Sequence, residues 1–251
     1  MMKQILTILS LTALMSCSYI SELKRTGEEK TIDIEWVGAS EIEIWAPVRL
    51  VLSNSDEPQL QLTGMDFIVE GYRLSTENNK LIIRHRDTNI LQDSKIAKLY
   101  VSAPQFSRIT SNSPSQISSG GDTLNIEKLA LVVNGKGIYT TGELCLKGKE
   151  FSLAIYGGIN KSQHFIQGKV ERASYHLEGG SDIYADELLT ENSSVTHKSY
   201  GDTYLHATSH LKVSIFSTGN VYYSGNPELN VERIENTLMT ATGNVISIKS
   251  R

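Results

Sequence analysis

Only two cysteines, Cys17 and Cys145, occur in 251 residues. A disulfide framework is therefore excluded, and the fold must be held by buried apolar surface and backbone hydrogen bonds. Prolines number five, so Pro-rich and collagen-like architectures are excluded too. No basic run exists, and 24 Lys and Arg face 28 Asp and Glu. Such a balance lacks the phosphate-neutralising footprint of a nucleic-acid-binding protein. No long stretch carries a 3.6-residue apolar period, which argues against alternating strand–helix folds. Motifs of known chemistry are missing as well. There is no Walker A loop, no C-x-x-C, no G-x-S-x-G and no H-E-x-x-H. The glycine pairs at 120–121, 157–158 and 179–180 open no helix and so make no phosphate cradle. The sequence calls for no cofactor and no metal.

Other features are present. The segment MMKQILTILSLTALMSC has a positive start at Lys3, a short apolar stretch and a terminal cysteine. Its apolar stretch is too short for a membrane span. Its ending resembles a bacterial lipobox, which would make Cys17 the acylated mature N-terminus and the membrane a partner through that lipid. An ordinary secretory signal is the alternative. The expected organisation is a leader over 1–17, a tether over 18–28 and a single β domain over 29–251. SYISEL, after Cys17, lacks an acidic cluster, leaving both the periplasmic face of an outer membrane and the cell surface open as locations.

From Lys30 onward apolar and polar residues alternate, as in TIDIEW, EIEIW and QLQL, which predicts half-buried strands. One short helix is predicted within MDFIVEGYRL. Over 105–251 a pattern repeats: a Gly/Ser/Asn/Asp cluster, one β-branched residue, then an alternating run. The anchors read as Ile117, Ile138, Ile159, Ile183, Thr203, Val221 and Val245, recurring every 18 to 24 residues. A period of this length means stacked coils, each burying its neighbour's apolar face. The fold class is all-β, a right-handed parallel β-helix or β-solenoid. In the twice-repeated TGNV (218–221 and 242–245), glycine is expected to supply a corner with positive φ, followed by an inward anchor.

These corners, together with the closing run LKVSIFSTGNVYYSGNPEL, resemble the head GIN domain of putative auto-transporter adhesins, a family common in Bacteroidetes envelope proteins. The resemblance spans Thr31 to Ile248. It implies a β-solenoid and an adhesin-like role.

Several constellations are candidates for function. Tyr139, Tyr184, Tyr204 and Tyr222 each follow an anchor and would form an outward column, since strand side chains alternate. Such a column suits sugar rings or flat apolar partners, or it merely covers strand edges. Asp182 and Asp202 fall in neighbouring coils and would serve an acidic site, with Lys198 nearby; the alternative is backbone support at corners. His197 aligns opposite Ile215 and reads as a buried structural residue. Cys145, between two leucines, reads as a buried small hydrophobe. Three functions follow: a non-enzymatic envelope lipoprotein binding a glycan or protein; a polysaccharide lyase or hydrolase on a β-helix; and a structural or sensory envelope protein.

Overall fold

The computed structural model describes residues 27–86, 96–235 and 240–249. The leader, Cys17 and most of the tether lie outside them. The chain is a β-solenoid of about 6 turns with coils of about 22 residues.

Its spine is five long strands: β9 (Ser115–Val133), β10 (Thr141–Ile155), β11 (Gln163–Gly179), β12 (Asp182–Ser199) and β13 (Thr203–Ile215). Each pairs in parallel with the next. Beyond β13 the coil divides. β14 (Val221–Ser224) and β15 (Glu228–Arg233) both pair with β13, and β16 (Val245–Ser247) pairs with β14.

Before the spine come β1 (Glu29–Asp33), β2 (Glu41–Ile44), β3 (Val48–Asn54), β4 (Gln59–Met65), the one-turn helix α1 (Asp66–Val69), β5 (Tyr72–Glu77), β6 (Lys80–His85), β7 (Lys98–Ala103) and β8 (Arg108–Ser111). Chain order and spatial order part company here. Strand β2 lies between β6 and β8, while β3 lies between β7 and β9, so the coil β6–β7 stacks outside the coil β2–β3. Antiparallel strands close this end: β4 on β7, β1 on β4, and β5 on β6. The β5–β6 hairpin turns on Asn78 and Asn79, both at positive φ (51° and 62°), where asparagine is the best-tolerated residue after glycine.

Apolar residues line up in columns because parallel register carries one position of each coil onto the same position of the next. One column runs Leu131, Leu153, Tyr175, Val195 and Val213, all buried. Another pairs Phe151 with Ala173, a large side chain against a small one. Each buried aliphatic side chain contributes about 2 kcal/mol.

Two expectations from the sequence need correction. Ile138 and Ile159 are not inward anchors: Ile159 is 75% exposed. Register places Gly142 and His164 at those levels, between Ile117 and Ile183. The corners at 134–140 and 156–162 are longer than those at 180–181 and 200–202, so their Gly-x-Ile-like motifs sit on the turn rather than after it. Second, the glycine of TGNV does not take positive φ. Its reason is close approach. A Cβ on Gly219 would stand 2.0 Å from the Gly201 carbonyl oxygen, and one on Gly243 would stand 2.1 Å from that of Gly219.

Candidate functional site

At the corners the acidic candidates have a structural duty. The Asp202 N–H donates to Asp182 Oδ1 (3.0 Å), and the Asn220 N–H donates to Asp202 Oδ1 (2.9 Å). The Asn244 N–H donates in turn to Asn220 Oδ1 (3.0 Å). Each side chain satisfies a backbone donor of the next coil, which open corners would otherwise leave unpaired. Lys198 is not turned toward this pair. It stands in register with Glu178, and its Nζ lies 5.4 Å from the centre of the Phe216 ring.

The outward column is occupied differently from the sequence expectation. Tyr184, Tyr204 and Tyr222 do stand in register. Tyr139 does not join them: it sits on a turn at φ 64° and is 63% exposed. Glu143 holds the position expected of it, and the ring beside Tyr184 is Phe165, one coil on in β11. Alignment on glycine-bearing corners missed Phe165, whereas the alternation His164-Phe165-Ile166 across a buried-exposed-buried strand marks it as outward.

The four rings stack nearly parallel. Centroids are 4.8 Å apart for Phe165–Tyr184, 5.4 Å for Tyr184–Tyr204 and 4.7 Å for Tyr204–Tyr222, with interplanar angles of 8°, 7° and 9°. The spacing is that of adjacent strands, so the coil repeat itself forces the stack. This changes what the column offers. Interior ring faces are spent on one another, and the flank presents ring edges and hydroxyls. A face is free of a ring neighbour only at the ends. Past Tyr222 the next residue in register is Ile246. Before Phe165, which is 48% exposed, come Glu143, then Ser118, then Val51 and Tyr100.

A groove of about 760 Å³ opens at the Phe165 end. Two register shifts build it. Strand β9 holds extra residues over 119–122 opposite β10, and β12 bulges over 185–186 opposite β11. Bulges of this kind re-aim side chains. Phe165, Tyr184, Gly120, Gly121, Glu143, Asp186 and Glu187 line it. Among its lining residues none is Lys or Arg. Cys145 lines it as well. It is half-buried rather than fully buried, with Sγ 3.2 Å from Thr123 Oγ1.

On a second outer face charges alternate in register over Lys128, Glu150 and Arg172, with the neutral Asn192 next. Arg172 Nη2 and Nε meet Glu150 Oε1 at 2.6 and 3.0 Å, holding the Glu150 carboxyl below its usual range. The groove on this face, about 480 Å³, is thus lined by charges already paired with each other.

Two histidines are interior. His164 fills the space above Gly142, where a Cβ would stand 2.2 Å from the imidazole Nδ1. Neither ring nitrogen of His164 meets a hydrogen-bond partner, and burial pushes its pKa down to about 3. His197 stands between Leu177 and Ile215, as the alignment predicts. Burial pushes it down to about 4, against the pull of Asp202 and of the Gly201 backbone, which lies near without meeting hydrogen-bond geometry. Among the described residues no group of His, Cys, Asp and Glu is arranged to hold a metal ion.

Known proteins share this architecture. A putative adhesin from Bacteroides fragilis NCTC 9343 superposes with a TM-score of 0.73 at 16% identity, covering 89% of this chain and 98% of that one. A putative lipid binding protein from Parabacteroides distasonis ATCC 8503 gives 0.65 at 15% identity, covering 89% and 98%. A putative adhesin from Parabacteroides merdae ATCC 43184 gives 0.60 at 15%, covering 89% and 97%. At these identities the likeness is one of fold. No curated protein matches the sequence. The family described as "Putative auto-transporter adhesin, head GIN domain" matches residues 39–227. With most of the solenoid inside that match, the chain belongs to the putative auto-transporter adhesin, head GIN domain family.

Proposed function

We propose that this chain is an adhesin-like envelope protein, without catalytic activity, that binds carbohydrate along the column Phe165–Tyr184–Tyr204–Tyr222. The observation that carries this reading is the four-ring stack on an outward sheet face, ending in a groove. An aromatic row with hydroxyls along its flank offers both apolar contact and hydrogen bonds to a hydroxyl-rich chain. The family and the adhesin names of its structural neighbours support an envelope role. The acidic corner residues support the non-enzymatic part, since their oxygens are engaged by backbone N–H groups.

A glycan array probed with the full chain tests the reading. Binding to at least one oligosaccharide class is expected, and Tyr184→Ala with Tyr204→Ala should weaken it by about 2 kcal/mol, roughly 30-fold. A double variant that stays folded and binds the same glycans unchanged would remove the column from the function.

The lipid anchor belongs to the same proposal. Cys17 ends a short apolar leader and would take the acyl chain. In cells of the native type, Cys17→Ser is expected to release the protein from the membrane fraction. A variant still recovered with membranes after salt washing would argue against acylation.

A further inference from the structure

We infer that the groove at the foot of the ring stack is a subsite for an amine-bearing sugar, whose ring packs against the exposed part of Phe165 while its ammonium group meets Glu143, Asp186 and Glu187. The inference rests on the carbohydrate reading of the column and gives it a chemical class.

Three observations lead to it. The first concerns faces. Stacking uses up the ring surfaces between Phe165 and Tyr222, so a flat ligand ring cannot intercalate along the column. Phe165 ends the ring stack beside Glu143, is 48% exposed and lines the groove. A pyranose in the groove can therefore pack against its exposed part.

The second concerns shape. The groove is formed where coil register breaks twice, at 119–122 and at 185–186. Gly120 and Gly121 line it too, and a Cβ on Gly121 would meet nothing within 4 Å. A wall of that kind lets a ring enter from the side. The volume of about 760 Å³ is that of a small-ligand site.

The third concerns charge. Three carboxylates line the groove and no Lys or Arg does. Uronic acids, sulfated sugars and phosphates would meet uncompensated negative charge there. An ammonium group gains charge-assisted hydrogen bonds from the carboxylates and attraction to the Phe165 ring. A neutral sugar gains less, because its hydroxyls leave the carboxylates' charge unmatched.

The test uses the full chain and three probes at low salt: a β-1,4-linked glucosamine tetramer, its fully N-acetylated counterpart, and a galacturonate tetramer. The glucosamine tetramer is expected to bind at least tenfold more tightly than the acetylated one, with the galacturonate weakest. Replacing Glu143→Gln and Glu187→Gln together should cut that preference to less than twofold. Both positions lie outside the core, and circular dichroism checks that the variant folds. Cys145 supplies an independent readout of place. Bound glucosamine tetramer should slow its alkylation by iodoacetamide, measured by peptide mass, and the acetylated tetramer should slow it less.

Equal binding of the amine and acetyl probes, unchanged by the double substitution, would overturn the subsite and leave the column reading standing. Amine preference with unaltered Cys145 alkylation would place the site elsewhere and would also overturn it. If the glucosamine tetramer does not bind while other sugars on the array do, the subsite again falls alone. Failure of every sugar, charged or neutral, would take the column reading down with it.

Discussion

Lowering the pH from 7 to 4 is expected to unfold this protein, with His164 and His197 as the principal cause. Both are held neutral by burial, with pKa values pushed from 6.5 to about 3 and about 4. In the unfolded chain each takes up a proton near pH 6.5, and in the fold neither does until far lower. The unfolded state therefore binds more protons below pH 6.5, and stability falls with pH at about 1.4 kcal/mol per unit for each histidine. The contribution is intact above pH 6.5 and is lost from there down toward pH 3 for His164 and toward pH 4 for His197. Together they remove roughly 6 kcal/mol between pH 6.5 and 4, comparable with the whole net stability of a domain. Urea midpoints measured at half-unit steps would show the slope. Replacing both by leucine should flatten it and leave stability at pH 7 equal or higher, since two interior rings with unpartnered nitrogens become apolar. A double variant with the native slope would show that other groups govern acid unfolding.

Gly219→Ala is expected to cost about 3 kcal/mol, the upper range for overpacking against a backbone that cannot yield. Its added methyl would meet the Gly201 carbonyl oxygen at 2.0 Å, His197 Cε1 at 2.7 Å and the Ser199 carbonyl oxygen at 2.8 Å. Two of those three contacts are backbone atoms of the preceding coil, so relief requires the coils to separate. That same backbone receives hydrogen bonds, including one from the Gly219 N–H to the Ser199 carbonyl. Gly158→Ala is the matched control. Nothing lies within 4 Å of its Cβ position and its φ is not positive, so a change within about 0.5 kcal/mol is expected. Chemical denaturation of the two variants side by side decides. Equal midpoints would mean that the corner column is looser than its contacts indicate.

Much of the architecture could be read from residue order alone, because a solenoid writes its geometry into spacing. Parallel register turns repeated positions into columns, and so Ile183, Thr203, Val221 and Val245, about one coil apart, stand level in space. The same logic found Tyr184, Tyr204 and Tyr222. It failed where corner length changes. Seven-residue corners before β10 and β11 displaced the apparent anchors, which put Tyr139 where Glu143 stands and left Phe165 out of the column. The groove was out of reach of sequence patterns for a related reason. Its walls come from register shifts between neighbouring strands, and a bulge is visible only when two coils are laid side by side. Glycine in TGNV was recognised as necessary but for a different cause, since a close approach between coils leaves no local signature.

The order of coils at the closed end bears on how the chain reaches its structure. In most solenoids each new coil can add to the edge of the one just made. Here the coil β2–β3 must receive β6–β7 on one edge and β8–β9 on the other. The antiparallel cap thus stands beyond one of its edges and the spine beyond the other. Synthesis from the N-terminus delivers every strand of that cap before the long strands, which leaves the spine a single edge to extend.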